Sequence, residues 1–371
     1  MNQPNPERFF VYVANSKDGD IGVFHLDARN GALAPQARVA AQDNVMPMAL
    51  SPDRRRLYAA TRGADKRIND YAIDAQNGGL APRVQTPIES SLAYLCAEPQ
   101  GRFLLGASYG EHRVSLYGAN ELESGNGAPL QVIDDIEHAH AVIVSADGRF
   151  AYASSLGSDR VFAFALEDAG RLVEIGAVDL GTGFGPRHLR FSPNGDVLYV
   201  LSEFRATVAA FTRDAATGKL AALHVSPRAP VLAHLNDGFA RPSPTDPVQP
   251  EPAVLAKLVW AADIHVSPDG RFVYVSERTT SQILALRVAQ DGALEYVGAT
   301  ATETQPRGFR IDPTGRFLVA CGEKSQHVSV YAIDAARAAT ARTGWRSSPP
   351  TLDRFNPGFR LSGRSAPHFY R

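Results

Sequence analysis

The sequence GTGFGPRHLRFSPNGDVLYVLSE, Gly181–Glu203, contains the pattern that decides the fold of this chain. From Leu189 onward it reads as a β-strand, a Ser-Pro-Asn-Gly turn and a second strand, because Pro and Gly supply the backbone angles of a tight turn. Arg187 and His188 stand at the start of this predicted hairpin, and Glu203 stands at its end. One hairpin therefore carries both a fold signal and candidate residues for chemistry.

The same hairpin pattern recurs along the chain. Complete copies begin at six positions, namely Ser51, Glu98, Ser145, Ser192, Ser267 and Asp312, and a partial copy, FFVYVANS, begins at Phe9. The centres of the second strands recur every 45 to 47 residues, with one longer interval of 75 residues. A fixed period of this length indicates a repeat architecture.

Each copy continues with a third strand, a second Gly-bearing turn such as DARNGAL or DAATGKL, and an outer strand. Four antiparallel strands per repeat, with almost no helical periodicity, are typical of a β-propeller blade. The seven copies predict an all-β, seven-bladed β-propeller. A pair of β-sandwich domains, the alternative, explains the period poorly.

The predicted propeller covers residues 1–334 and includes a Pro-rich insert at residues 226–257, which accounts for the long interval. The insert has no strand pattern, so it is a long connection between two complete blades. Two interpretations stay open. It is either a loose surface loop or a cover over one face of the propeller, because it leads directly into WAADIH.

The C-terminal tail, residues 335–371, departs from the repeat. The first blade begins at its second strand, so its innermost strand should come from the C-terminus and close the ring. Phe355–Leu361 is the sole candidate in the tail, and it is a weak one. A divergent closing segment, a disordered tail and a shifted reading frame all remain open.

Composition places the chain among ordinary globular proteins. It has 371 residues, 44% hydrophobic and 21% charged, with a net charge of -1. Nucleic-acid binding usually needs a basic face, which a near-neutral net charge does not indicate. A membrane span needs about 18 consecutive apolar residues, and the sequence has no such run. No signal peptide is visible, and Cys96 and Cys321 read as buried free thiols. These features predict a cytoplasmic monomer or weak homo-oligomer without nucleic-acid or membrane partners.

Propeller geometry sorts the polar residues onto one face. The start of each innermost strand and the end of each second strand lie at the same face, opposite the Ser-Pro-Asp-Gly turns. The polar residues predicted at this face are His140, Arg187, His188, Asp263, Arg307, Arg62, Glu203, Arg278 and Glu323. Arg62 and Glu323 are interpreted as ordinary solvated residues at strand ends.

The other members of this set suggest chemistry. Arg187, Arg278 and Arg307 converge from different blades, and guanidinium groups bind phosphate or carboxylate through paired hydrogen bonds. Glu203 and His140 could perform general acid–base catalysis beside such an anion. The sequence therefore predicts an anion-binding site with acid–base groups.

Three other motifs are set aside. GTGFG precedes a strand rather than a helix, so it does not fit a dinucleotide or phosphate loop. His138 and His140 have no further His or Cys pair nearby, so no metal and no cofactor are predicted. A serine hydrolase is disfavoured because the chain lacks a Gly-x-Ser-x-Gly motif.

The chain resembles the propeller-type bacterial 6-phosphogluconolactonase family, which also includes fungal carboxy-cis,cis-muconate cyclase. The resemblance extends from about Phe9 to Asp334. The chain differs from the family pattern in the Pro-rich insert and in the C-terminal tail. It rests on five stretches, namely GPRH (Gly185–His188), YVLSE (Tyr199–Glu203), WAADIHVSPDGR (Trp260–Arg271), TETQPRGF (Thr302–Phe309) and GEKSQHVSVY (Gly322–Tyr331).

The resemblance implies hydrolysis of 6-phospho-D-glucono-1,5-lactone to 6-phospho-D-gluconate, a step of the pentose phosphate pathway, without a metal. The active residues proposed for the cyclase branch correspond here to His140, Arg187, Glu203 and, less directly, Arg278. The residues expected to bind or orient the phosphorylated sugar lactone are His188, Asp263, His265, Gln305 and Arg307.

Two other functions stay open. One is an enzyme acting on another anionic lactone, such as a carboxymuconate cyclase, and the other is a non-catalytic propeller scaffold. The identity of the general base, Glu203 or His140, is also left open by the sequence.

Overall fold

The structure is a computed structural model that describes residues 8–242, 247–334, 340–347 and 367–370 of the chain. In this part of the chain, 28 strands form seven four-stranded antiparallel sheets, which confirms the predicted seven-bladed propeller. The helices among the described residues are short: Ala119–Glu123 (α1), Pro252–Leu255 (α2) and a 3-10 turn at Pro230–Leu232. No described helix has the length and apolar character needed to cross a membrane.

Blade 1 is formed by both ends of the chain. Its strands are Arg8–Asn15 (β1), Asp20–Asp27 (β2) and Ala32–Ala40 (β3), and its innermost strand is Pro367–Tyr370 (β28). β28 pairs antiparallel with β1, with Tyr370 opposite Tyr12. The ring is therefore closed by a C-terminal strand.

Blades 2 to 7 follow the chain, and in each the first strand is innermost. Blade 2 contains Val45–Leu50 (β4), Arg56–Thr61 (β5), Arg67–Ile73 (β6) and Leu80–Pro87 (β7). Blade 3 contains Tyr94–Ala97 (β8), Phe103–Ser108 (β9), Arg113–Gly118 (β10) and Gln131–Ile133 (β11). Blade 4 contains Ala139–Val144 (β12), Phe150–Ser155 (β13), Arg160–Glu167 (β14) and Arg171–Asp179 (β15).

The remaining three blades contain the rest of the strands. Blade 5 contains Pro186–Phe191 (β16), Val197–Ser202 (β17), Val208–Arg213 (β18) and Leu220–Val225 (β19). Blade 6 contains Ala261–Val266 (β20), Phe272–Glu277 (β21), Gln282–Val288 (β22) and Leu294–Ala301 (β23). Blade 7 contains Pro306–Ile311 (β24), Phe317–Gly322 (β25), Val328–Ile333 (β26) and Thr340–Ser347 (β27).

The closing strand is not the one that the sequence suggested. Phe355–Leu361 lies outside the described residues, and the innermost position of blade 1 is filled by β28, further along the chain. β28 has four residues, too few to show a hydrophobic period in the sequence. The outer strand β27, TARTGWRS, also lacks an apolar pattern, and it pairs along one edge only, through its backbone.

The hydrophobic core lies between neighbouring blades. Both faces of the two inner strands are covered, so every residue of β12 and β13 is buried, whereas the outer strand β15 alternates between exposed and covered positions. Tyrosines on the second strands link the blades. The hydroxyl of Tyr12 donates to the carbonyl of Gly78 at 2.9 Å, and Tyr152 donates to Gly218 at 2.7 Å.

Both cysteines are free thiols. Cys321 on β25 is buried as predicted, but Cys96 is only half-buried, because it lies in the half-covered second half of the short strand β8, at the edge of the core. The prediction of a buried thiol was therefore wrong for Cys96.

Candidate active site

Bulges at the start of the inner strands explain how adjacent residues share the site. In blade 5, Pro186 pairs with Ser202 and Leu189 pairs with Val200, so β16 has one extra residue. A regular strand would direct Arg187 and His188 to opposite faces, and a bulge removes that constraint. Equivalent register shifts lie at the start of the innermost strands of blades 2, 4, 6 and 7. We call this end of the central channel the mouth.

The loop before β16 has a structural role. Its backbone N–H groups at Gly183 and Gly185 donate to the carboxylate of Asp159 at 2.8 and 2.7 Å. Gly185 has φ +61°, and a Cβ atom there would lie 2.5 Å from the ring of Phe204. The GTGFG stretch therefore holds a carboxylate and leads into a strand, in agreement with its exclusion as a phosphate loop.

Glu203 connects two arginines from neighbouring blades. Its Oε2 atom lies 3.1 Å from Nε of Arg187, and its Oε1 atom accepts a hydrogen bond from Nη2 of Arg278. All three side chains are buried, and Arg187 is only 1% exposed. The predicted convergence of these residues is therefore present in the fold.

Backbone carbonyls of blade 6 hold the same two arginines. Nε of Arg278 donates to the carbonyl of Trp260 at 3.0 Å, and Nη1 of Arg187 donates to the carbonyl of Ala262. The WAAD stretch thus contributes main-chain acceptors, which a search for reactive side chains does not reveal. These bonds fix both guanidinium groups before any ligand arrives.

Mutual attraction keeps the side chains of Glu203, Arg187 and Arg278 ionised. Burial by itself would raise the pKa of Glu203, but Arg278 and Arg187 outweigh it, so the pKa lies below its usual range. Burial lowers the pKa of Arg187 to about 9, although Glu203 opposes the change. At neutral pH these three residues therefore carry one carboxylate and two guanidinium charges.

His140 is the neutral member of the site. Its Nε2 atom lies 4.0 Å from Oε2 of Glu203. Burial, together with the charges of Arg187 and its neighbours, holds the pKa of His140 well below 6.5. The imidazole is therefore uncharged at neutral pH, and it stands edge-on to the ring of Tyr109 at 5.8 Å.

A buried chain of hydrogen bonds orients Arg187. Nδ1 of His188 lies 2.8 Å from Oδ1 of Asp263, so it carries the proton and donates to the carboxylate. Nε2 of His188 is then an acceptor for Nη1 of Arg187 at 3.1 Å. On the other side of Asp263, Oδ2 lies 3.2 Å from Nε2 of His265, which also lies 3.1 Å from Nη1 of Arg310.

Blade 7 contributes a second ion pair at the mouth. Nη1 of Arg307 donates to Oε1 of Glu323 at 2.5 Å. The interpretation of Glu323 as an ordinary solvated residue was therefore wrong. Gln305 has a left-handed backbone, φ 55°, and its carbonyl accepts a hydrogen bond from the backbone N–H of Glu323 at 2.8 Å, so this residue shapes the turn before β24.

Arg62 also belongs to the mouth rather than to the outer surface. It is half-buried, with Nε 3.3 Å from the hydroxyl of Ser91 and Nη1 3.3 Å from Sδ of Met46. Burial and the charge of Arg307 lower the pKa of Arg62 to about 10. Its interpretation as a solvated strand end was wrong, because its guanidinium group contacts Ser91 and Met46 and lies close enough to Arg307 to interact with it.

One residue of the mouth, Tyr109, is absent from the predicted site. Tyr109 ends the second strand of blade 3, the position that Glu203 occupies in blade 5, and this equivalence is the signal that could have found it. The described part of the insert packs on Tyr109, Leu156 and Phe204 through Ala240 and Leu255, so it covers part of the rim. Of the two interpretations of the insert, the structure favours the cover.

The donor set does not resemble a metal centre. Within residues 8–242 and 247–334, no three His, Cys, Asp or Glu side chains are grouped as metal ligands. His138, two residues before His140 in the sequence, instead places Nδ1 3.2 Å from the carbonyl of Tyr109 and stacks on its ring.

Comparison with known proteins gives the same architecture. A family model described as "Lactonase, 7-bladed beta-propeller" matches residues 10–348. A 6-phosphogluconolactonase of Pectobacterium carotovorum is 36% identical over 207 residues, which are 55% of this chain and 56% of that protein. The chain thus matches little more than half the length of this curated relative.

Solved structures align over nearly the whole chain. A periplasmic gluconolactonase of Pseudomonas aeruginosa is 25% identical with a TM-score of 0.78, covering 98% of this chain and 99% of that one. A structure from Bacteroides uniformis is 23% identical with a TM-score of 0.77, covering 98% and 100%. At this identity the second match supports the fold alone. Together with the family match, these observations show that the chain belongs to the lactonase family of seven-bladed β-propellers.

Proposed function

We propose that this protein hydrolyses 6-phospho-D-glucono-1,5-lactone to 6-phospho-D-gluconate. The observation that carries the proposal is the buried carboxylate of Glu203 held between Arg187 and Arg278, 4.0 Å from the neutral imidazole of His140. Guanidinium groups suit both a phosphorylated substrate and the oxyanion that forms when a lactone carbonyl is attacked. The name of the Pectobacterium relative supports the same substrate.

The reaction needs polarisation of the lactone carbonyl. Arg187 and Arg278 are fixed by backbone carbonyls and by Glu203, so their remaining N–H groups are preorganised for an anionic oxygen. Preorganised donors in a buried site stabilise the developing charge without a cost of reorientation during the reaction. Water adds to the carbonyl carbon, the bond to the ring oxygen breaks, and the ring oxygen takes a proton.

Of the two candidate bases, His140 is the better one. Glu203 is already paired with two guanidinium groups, which lower the pKa of its carboxylate and weaken it as a proton acceptor. His140 is neutral and has a lone pair available, and a bound phosphate offsets the positive charges that depress its pKa. His140 therefore takes the proton of the attacking water, and it returns a proton to the ring oxygen.

The other predicted residues position these groups. His188 and Asp263 orient Arg187, and His265 holds the far oxygen of Asp263. Arg307 adds positive charge near the phosphate, whereas Gln305 shapes the turn at the start of β24. No metal or cofactor takes part in the proposed reaction.

One different substrate class is favoured by the same arginines. A carboxylated lactone, as handled by a muconate-type cyclase, would also bind at Arg187 and Arg278. The proposal predicts turnover of fresh 6-phospho-D-glucono-1,5-lactone well above that of carboxymuconate, followed spectrophotometrically. Turnover of carboxymuconate alone would assign the cyclase reaction, and turnover of neither would favour a scaffold.

The decisive variant is Arg187→Ala. We expect kcat/KM for the phospholactone to fall at least about 100-fold, the cost of losing one oxyanion donor. Arg287→Ala is the matched control, because this exposed arginine pairs with Glu295 on the outer strands of blade 6, away from the mouth. Near-normal turnover by Arg187→Ala would contradict the assignment.

We also propose a cytoplasmic enzyme of the pentose phosphate pathway that acts as a monomer or weak homo-oligomer. Two free thiols are more common in reducing compartments than in oxidising ones. Subcellular fractionation and light scattering test these points, and the periplasmic location named for the Pseudomonas protein is the alternative outcome.

A further inference from the structure

The insert between blades 5 and 6 places an additional arginine beside the site. Nothing in the repeat pattern predicts Arg241, because it lies outside the seven hairpins, and its side chain is exposed. Its guanidinium carbon stands 4.2 Å from the centre of the Trp260 ring. Trp is the aromatic side chain that holds a guanidinium most strongly, so this contact gives Arg241 a defined position.

A second contact ties Arg241 to the opposite side of the mouth. The hydroxyl of Tyr109, from blade 3, donates to the carbonyl of Arg241 at 3.2 Å. Trp260 belongs to the start of blade 6, so the segment around Arg241 spans the rim between these two blades. Tyr109 in turn faces His140, and the Trp260 carbonyl binds Arg278. Tyr109 therefore links Arg241 to His140, and Trp260 links it to Arg278.

The segment before Arg241 is packed rather than loose. The backbone N–H of Gly238 donates to the carbonyl of Phe204 at 2.9 Å, and Phe239 stands edge-on to Trp260 with ring centres 5.7 Å apart. Asp237 binds both Arg205 and Arg228, at 3.1 and 2.7 Å. These contacts hold the segment against the end of blade 5, next to Glu203.

Arg241 differs from the other arginines of the site in its ionic partners. Arg187 and Arg278 share Glu203, and Arg307 has Glu323. Across the described ranges, no carboxylate lies within ion-pair distance of the Arg241 guanidinium. Partial desolvation against Trp260 and the charges of Arg278 and Arg307 lower the pKa of Arg241, while Glu203 opposes this, so the charge of Arg241 interacts with the same site.

We propose that Arg241 binds the phosphate group of the substrate and selects phosphorylated lactones over neutral ones. The inference rests on the proposed function for the identity of the sugar. Glu203 neutralises part of the charge of Arg187 and Arg278, which are placed for the carbonyl. Arg241 is exposed at the rim, where the distal phosphate of a lactone bound at that carbonyl would lie.

Binding of the stable products tests this without catalysis. Titration calorimetry compares 6-phospho-D-gluconate with D-gluconate for the wild-type protein, Arg241→Gln and Arg241→Lys. We expect the wild-type protein to prefer the phosphorylated acid at least about 10-fold, as one charge-assisted contact allows. Arg241→Gln should lose most of this preference, Arg241→Lys should keep part of it, and affinity for D-gluconate should stay unchanged.

Lys257→Gln is the matched control, because it removes an exposed positive charge from the same insert. It should leave the preference unchanged. An undiminished preference in Arg241→Gln, or no preference in the wild-type protein, would overturn the inference. Unchanged D-gluconate affinity in Arg241→Gln shows that the site remains intact.

Turnover separates this inference from the proposed function. For the phospholactone, Arg241→Gln should raise KM about 10-fold or more with little change in kcat, because a contact to a non-reacting group supports ground state and transition state alike. If the wild-type protein opens no lactone but prefers 6-phospho-D-gluconate, and Arg241→Gln loses that preference, the proposed reaction fails while the role of Arg241 stands. If the wild-type protein opens the lactone and Arg241→Gln keeps the preference, the proposed reaction stands and the role of Arg241 fails.

Discussion

Oε2 of Glu203 lies 3.1 Å from Nε of Arg187, and these two residues begin and end a single hairpin of blade 5. The bulge in β16 turns Arg187 into the mouth, and the turn after β17 brings Glu203 back to it. Arg278 then joins the other carboxylate oxygen from blade 6. A hairpin of the repeat thus supplies both charges of the ion pair at the centre of the site.

Replacement of the shared carboxylate should affect stability and activity together. Glu203→Gln keeps the shape of the side chain but leaves two buried guanidinium groups without their counter-ion. Removing one partner of a buried pair costs about 3–5 kcal/mol of unfolding free energy, and we expect kcat/KM to fall about 100-fold. Urea denaturation and the lactone assay measure the two effects.

Glu323→Gln is the control for this prediction. Glu323 pairs with Arg307 at 2.5 Å, but both side chains are about one-fifth exposed, so solvent screens the interaction. Its loss should cost less than about 1 kcal/mol. Equal destabilisation by the two variants would show that Glu203 has no special role.

The pH dependence of turnover should identify the base. Burial and the nearby arginines hold the pKa of His140 well below 6.5, so its neutral form predominates at pH 7. Activity that requires the neutral form is present at pH 7 and is lost as the pH falls through the His140 pKa. We expect kcat/KM to be constant near neutrality and to decline on the acid side of pH 6.5.

His140→Gln tests the assignment of this decline. We expect the acid limb to disappear and kcat/KM to drop roughly 100- to 1000-fold, the usual contribution of a general base. His138→Gln, two residues earlier and outside the Glu203 contacts, should keep the limb. An acid limb that survives in His140→Gln would assign the base to Glu203.

The buried His188–Asp263–His265 chain should make the fold sensitive to acid. Burial, with Arg187 near His188 and Arg310 near His265, lowers the pKa of each histidine to about 3. In the unfolded chain the pKa of each histidine returns to about 6.5. Between pH 3 and pH 6.5 the unfolded chain therefore binds more protons than the folded protein. Stability should therefore fall as the pH drops below 6.5, by about 1.4 kcal/mol per pH unit for each histidine.

Urea unfolding at pH 7, 6, 5 and 4 measures this slope. His265→Gln should make it shallower by about one proton, whereas replacement of the exposed His234 should not. A slope that is unaffected by His265→Gln would contradict the proposed burial of neutral histidines.

The tight turn of blade 2 has Arg54 where most of the other blades have glycine, so a substitution there should increase the stability of the protein. Arg54 has φ 57°, where the equivalent residues Gly148 and Gly195 have φ 72° and 78°. A side chain in this left-handed conformation costs roughly 1–2 kcal/mol, so Arg54→Gly should raise the unfolding free energy by about 1 kcal/mol. The measurement is urea denaturation at pH 7.

The reciprocal change is the control. Gly101, the equivalent residue of blade 3, has φ 76°, and an added Cβ atom would meet only the side chain of Pro52 at 3.5 Å. Gly101→Ala should therefore lower stability by about 1 kcal/mol through backbone conformation alone. A gain in stability from Gly101→Ala would contradict the argument for both turns.

Some features were readable from the sequence because they are local. The Ser-Pro-Asp-Gly turn is made by neighbouring residues. In blade 4, the hydroxyl of Ser145 contacts the carboxylate of Asp147 at 2.5 Å and accepts from the backbone N–H of Phe150 at 3.1 Å. The turn and its flanking apolar strands recur with a constant period, so the blade count follows. The shared face of His140, Arg187 and Glu203 follows from blade geometry alone.

Other features depended on contacts between distant segments. β28 closes the ring because its backbone pairs with the free edge of β1. A strand of four residues is too short to show a hydrophobic period, so the sequence did not predict it. Arg241 reaches the mouth only because its insert packs on Trp260 and Tyr109. The sequence by itself determined the seven blades and the side of the propeller that carries the charges. Tertiary structure decided which charges pair and which strand closes the ring, because ion pairs and edge pairing join residues far apart in the chain.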